Sequence, residues 1–92
     1  VMNMINALKA NSYWENDKEC IAHRLSDEKL PYLLSQGQTE YTFIIYYLTP
    51  AQSMGKAEFK LDPSLKEWHV RNGSDRRSSD YTDIINYILQ SH

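Results

Sequence analysis

Four basic side chains and one tyrosine are the residues whose types and placement could do chemistry in this chain. His69 and Arg71 lie two apart in Trp68-His69-Val70-Arg71, and on a strand they project from one face. Taken by itself, the pair reads as a solvated strand face. Arg76 and Arg77 sit in Asn72-Gly73-Ser74-Asp75-Arg76-Arg77-Ser78-Ser79. That stretch reads as a polar loop, where two guanidinium groups and free backbone donors near the start of the following helix could hold an anion. Asp75 and Asp80 partly cancel that field. A merely soluble loop is the plain alternative.

Other constellations carry less. Cys20 and His23 have i, i+3 spacing but no second pair of metal ligands, since His69 is distant and His92 terminal. One pair does not make a zinc site, and no metal or cofactor is expected. A cysteine nucleophile would also need an oxyanion hole, for which the sequence offers no motif, so the chain is not read as an enzyme. Met54-Gly55-Lys56 lacks the upstream glycine and following hydroxyl of a phosphate-binding loop. Tyr13-Trp14 reads as a core anchor in so small a domain. Trp68, His69, Arg71, Arg76 and Arg77 combine aromatic and basic character, yet the net charge of -2 opposes a nucleic-acid role or binding to an anionic membrane.

The elements that position these residues follow from periodicity. With 92 residues, 41% of them hydrophobic, the chain can form one core and hardly two. Both parities of segment 41–48 are largely apolar, so this strand should lie within a sheet with both faces covered by helices. Residues 56–61 alternate, with Ala57, Phe59 and Leu61 inward and Glu58 and Lys60 outward, and 66–71 alternates with Trp68 and Val70 inward. Three antiparallel strands joined by short loops are predicted. Tyr81, Ile84, Ile85, Ile88 and Leu89 form a helical stripe behind a capping Asp80. Upstream, Met4, Ile5 and Leu8 mark a short helix ending at Asn11, and Asn16 or Asp17 caps a second that carries Ile21 and Leu25. A third, opened by Ser26 or Pro31, is expected to carry Leu30, Leu33 and Leu34. The expected core is Phe43, Ile45, Phe59, Trp68, Ile84, Ile85 and Ile88.

The segments His23-Arg24-Leu25-Ser26-Asp27-Glu28, Leu33-Leu34-Ser35, Gly37, Thr42-Phe43-Ile44-Ile45, Trp68-His69-Val70-Arg71 and 81–87 resemble, in order and spacing, a Src homology 2 domain. In that family a helix near "I-S-R-x-x-A" leads into a "G-x-F-L-V-R" strand, then "Y-x-L-S-V" and "H-Y-x-I" strands and a closing helix near an aromatic residue. The resemblance implies that residues 23–92 form the domain, with 1–22 a helical segment or linker. It places Tyr46 where the family's arginine forks around a phosphotyrosine phosphate, a geometry only guanidinium offers. Asp27 falls where an assisting helix arginine stands, and would repel phosphate. His69 and Arg71 fall where a histidine and a basic residue approach phosphotyrosine.

These observations predict an α+β domain, a central antiparallel sheet of three or more strands flanked by helices. The expected function is recognition of a protein or peptide partner, phosphorylated or not, through His69, Arg71, Arg76, Arg77 and Tyr46, with ordinary phosphotyrosine binding impaired. The alternative is a scaffolding domain of a larger protein, without a ligand pocket. A start at Val1 is read as a domain cut from a longer chain, and a single cysteine as a reducing intracellular setting. Richness in Ile, Asn, Tyr and Ser with little glycine suits an AT-rich bacterial genome and an effector acting in host cytosol.

Overall fold

A computed structural model describes residues 1–72 and 74–91. Three helices flank one five-stranded sheet: α1 (Met2–Ala10), α2 (Lys18–Asp27), β1 (Leu33–Gln36), β2 (Thr42–Leu48), β3 (Met54–Asp62), β4 (Glu67–Asn72), β5 (Ser74–Ser78) and α3 (Tyr81–Gln90). The strands form an antiparallel meander in sequence order. The architecture is α+β, as the apolar periodicities require.

β2 sets the layering, because neither of its faces is polar. Phe43, Ile45 and Tyr47 meet Leu34, Phe59, Leu61, Trp68 and Val70 on one face, under Ile5 and Leu8 of α1 and Ile84, Ile85 and Ile88 of α3. Tyr46 packs on the other face with Leu33, Ile21 and Leu25, beside Ile44 and Leu48. That second cluster is the footprint of α2. All seven expected core residues are buried, none more than 4% exposed. Aromatic rings dominate the larger cluster: Phe43 stacks on Phe59 at 5.6 Å between centroids, and Trp68 approaches both, at 5.7 and 6.0 Å. Such pairs stabilise beyond the area they bury.

Two segments differ from expectation. Leu30, Leu33 and Leu34 do not form a third helix. α2 runs from its cap Asp17, which accepts from the Glu19 N–H, through Ser26 and Asp27. Lys29 then takes a left-handed φ of 54°, ending the helix. Pro31 precedes β1, and its two adjacent leucines serve opposite faces, Leu33 toward α2 and Leu34 toward the larger core. The second difference is the stretch read as a loop. Residues 74–78 form strand β5, while Gly73 lies outside the described residues. Its inward side chains are polar, which hid the alternation. Ser74 Oγ bonds the Tyr87 hydroxyl at 2.8 Å, Arg76 stacks over the Tyr87 ring at 5.6 Å, and Ser78 donates to Asp83 at 2.8 Å.

The sheet's two edges are treated differently. Along β1, the Leu34 N–H donates to the Tyr13 carbonyl, the Glu15 N–H to the Leu34 carbonyl, and the Gln36 N–H to Asn16 Oδ1, at 2.8 to 2.9 Å. Arg24 locks this segment to α2 by donating to the Trp14 carbonyl, Glu15 and Glu28. β5 is the last strand on the opposite side. Gly37 closes the β1–β2 turn tightly; a Cβ there would stand 2.8 Å from the Thr42 backbone.

Two outcomes are expected. Ile85→Ala should cost about 2–4 kcal/mol, from lost burial and the cavity it leaves, read as a lower denaturant midpoint. At the start of α3, hydrogen bonds from the Thr82 side chain and backbone hold the Asp80 carboxyl below the usual aspartate value of 3.8. A depressed folded pKa means that the stabilisation is complete above that value and disappears as pH falls through the lower folded one. Asn caps without titrating. Asp80→Asn should therefore differ most from the parent near neutral pH, with the gap in midpoint closing as pH falls below the usual aspartate value.

Candidate functional site

α2 packs over β1 and β2, and among the described residues no helix packs on that side of β3, β4 and β5. The pairing register aligns the side chains left there. Lys60 of β3 stands opposite His69 of β4, which stands opposite Arg77 of β5. One position along, Arg71 stands opposite Asp75. A basic row thus crosses three strands. Only part of the row is neutralised: Arg77 reaches Asp62 at 3.7 Å, and Lys60 has no ion pair among the described residues.

A recess of about 290 Å³ opens on this face, lined by Glu58, Phe59, Lys60, His69 and Arg71. His69 is its unusual member. The residue is only 8% exposed, yet neither Nδ1 nor Nε2 has a hydrogen-bond partner. The nearest carboxylate oxygen, Asp75 Oδ1, lies 3.5 Å from Nε2 without forming a hydrogen bond, and 3.6 Å from Arg71 Nε. Buried side-chain polar atoms normally find partners. Ser12 Oγ and Trp14 Nε1 share this state elsewhere in the chain, but neither lines a recess with charged walls.

The five residues singled out from sequence do not form one site. His69 and Arg71 share the recess. Arg77 is on the same face one strand away, whereas Arg76 points to the opposite face and packs on Tyr87. The two neighbouring arginines cannot clasp one anion, because consecutive strand residues project oppositely. Tyr46 is 5% exposed in the cluster beneath α2. Asp27 accepts from or pairs with His23 at 2.8 Å on the exposed side of α2. Glu58 and Lys60 were absent from the sequence-derived set. Their outward parity was legible, but their alignment with His69 depends on the turn at 62–67, where Lys66 adopts a φ of 54°.

Cys20 donates to the Asp17 carboxylate at 3.4 Å, and that hydrogen bond, with desolvation and the acidic neighbours, raises its thiol pKa. A thiol held protonated is a poor nucleophile. Among the described residues, no three His, Cys, Asp or Glu side chains group to hold a metal ion. His92 lies outside them. A larger hollow of about 410 Å³ beside the β2–β3 turn is lined by residues such as Pro31, Leu48, Thr49, Pro50 and Leu89, with no charged side chain. No helix among the described residues is long and apolar enough to cross a membrane.

A buried imidazole without partners is a stability cost, and replacing it with an apolar ring of similar shape removes that cost. His69→Phe should leave the unfolding midpoint unchanged or raise it, by up to about 1–2 kcal/mol. A clear loss of stability would show that the ring nitrogens are satisfied in solution. Compared with family models, curated proteins and solved structures, the chain matches none.

Proposed function

We propose that this chain is a protein- or peptide-recognition module of Src homology 2-like arrangement, whose ligand face is the α2 side of β3–β5 and whose ligand needs no phosphate. The observation that carries the reading is His69: buried, with neither ring nitrogen hydrogen-bonded among the described residues, and built into a recess on an uncovered sheet face. Recesses with a few convergent polar groups are the usual form of a binding site.

The element order supports the likeness in a register different from the one the long strand suggests. In the family the strand that follows the helix bears "G-x-F-L-V-R", and here that strand is β1. The motif then ends on Tyr32-Leu33-Leu34-Ser35, "Y-x-L-S-V" falls on Tyr41-Thr42-Phe43-Ile44-Ile45, and "H-Y-x-I" on Glu58-Phe59-Lys60-Leu61. Tyr81 opens the closing helix. Every motif lands on its own element, whereas starting at β2 leaves β1 without a counterpart.

Both registers lack the phosphate fork. Tyr46 is packed under α2, and Ser35 is 2% exposed with a single hydroxyl to offer. The position of the family's histidine is Glu58, a carboxylate. Counting from the cap Asp17, the helix arginine falls on Lys18, a point charge that cannot fork. A bidentate, charge-assisted contact is worth several times the roughly 1 kcal/mol of a neutral hydrogen bond, so its loss removes most of the gain from phosphorylation.

Calorimetric titration with matched tyrosine and phosphotyrosine peptide libraries tests this. We expect binders whose paired affinities differ by less than about tenfold, roughly 1.4 kcal/mol. Phosphotyrosine forms preferred by about a hundredfold or more would overturn the phosphate-independent reading. Absence of any binder in either library would overturn the recognition reading itself.

A further inference from the structure

The recess carries a second inference, which rests on the recognition reading and names the group that the recess takes. His69 Nε2 and Arg71 Nε both face one oxygen, Asp75 Oδ1, at 3.5 and 3.6 Å. A charge-assisted hydrogen bond to a carboxylate is about 2.7–2.9 Å long. One oxygen is therefore shared between two donors and fully bonded to neither. Asp75 is on the outermost strand with its side chain 58% exposed, so it can swing into water at little cost; the Arg71 side chain is 83% exposed.

The geometry points to a carboxylate seat formed by His69 and Arg71, filled loosely by Asp75 in the free protein and by a glutamate or aspartate side chain of an extended partner segment in the complex. Lys60, opposite His69 and without an ion pair among the described residues, is the second cation of the seat. The charge balance selects the ligand. Lys60 and Arg71 face Glu58 and Asp75, two positive charges against two negative. Once Asp75 leaves, the recess has one positive charge in excess, which suits a carboxylate. A phosphate of charge near -2 would be left overcompensated beside Glu58. The planar edge of Arg71 matches a carboxylate, and an Nε2–H of His69 gains the acceptor it lacks. Asp75 is then a resident competitor: a seat that is filled part of the time lowers apparent affinity by the fraction that stays open.

The test uses two blocked peptides identical but for a central Glu or Gln, followed by NMR through the His69 ring and Arg71 Nε–H signals of the whole chain. The Glu peptide should move both signals and the Gln peptide neither, with the shift weakening as salt rises. Asp75→Asn should tighten Glu-peptide binding, by about fivefold if the seat is filled four-fifths of the time, with an unchanged unfolding midpoint. Arg71→Gln should abolish the shift. Equal binding of the Gln peptide, or a silent His69 ring in Asp75→Asn at millimolar Glu peptide, overturns the seat. A library peptide that binds elsewhere, leaving the His69 ring unmoved in Asp75→Asn, overturns the seat while the recognition reading stands. A responding His69 ring when no library peptide binds supports the seat while the recognition reading fails.

Discussion

The structure depends on one strand having no polar side. β2 places Phe43, Ile45 and Tyr47 on one face and Ile44, Tyr46 and Leu48 on the other. Neither set can be left in water at roughly 25 cal/mol per Å² of apolar area. Helices must therefore cover both faces, but they do so unequally. α1 and α3 cover the aromatic face, while the α2 cluster lies on β1 and β2. A helix about 10 Å wide lies over roughly two strands spaced about 4.8 Å apart, and five strands span about 19 Å. The remaining face of β3 to β5 is where charged rows, a recess and a buried histidine can exist. The candidate site is what the covering of β2 leaves over.

Its residues stand on strands fixed from behind. Lys60 follows Phe59, and His69 follows Trp68; those two rings meet on the far side of the sheet at 6.0 Å. Any slip of one residue between β3 and β4 would turn either Lys60 or His69 into the aromatic core. Burial of the rings therefore enforces the side-by-side placement of the basic row. Groups on strands held this way keep their geometry better than groups on loops.

Where apolar periodicity existed, the elements could be read from sequence: β2, β3, β4, α3, α1 and the start of α2 follow from alternation, helical stripes and caps. β1 was illegible because Leu30, Leu33 and Leu34 have helical spacing, while their real partners lie on opposite faces of a sheet far along the chain. β5 was illegible for the opposite reason. It has no apolar residue, and its inward positions are satisfied by hydroxyls and a cation over Tyr87. Half of the site suffered the same loss. His69 and Arg71 were visible as a same-face pair, and Arg76 with Arg77 as a cationic pair. The strand state of 74–78, which separates the two arginines and brings Asp75 beside His69, is a tertiary outcome.

The unequal treatment of the sheet's edges has a consequence for how the chain behaves at high concentration. Tyr13 and Glu15 occupy the backbone of β1 as an extra strand would, so nothing can add there. On β5 the guard consists of Asp75, Arg76 and Arg77, charged side chains of the kind that discourage strand-to-strand polymerisation. Two of those three face the same side as the recess. The side chains that keep the edge from templating filaments are thus neighbours of the surface proposed to meet a partner. Substitutions that make that surface more apolar bring the chain closer to self-assembly along the same strand, which limits how sticky this face can become.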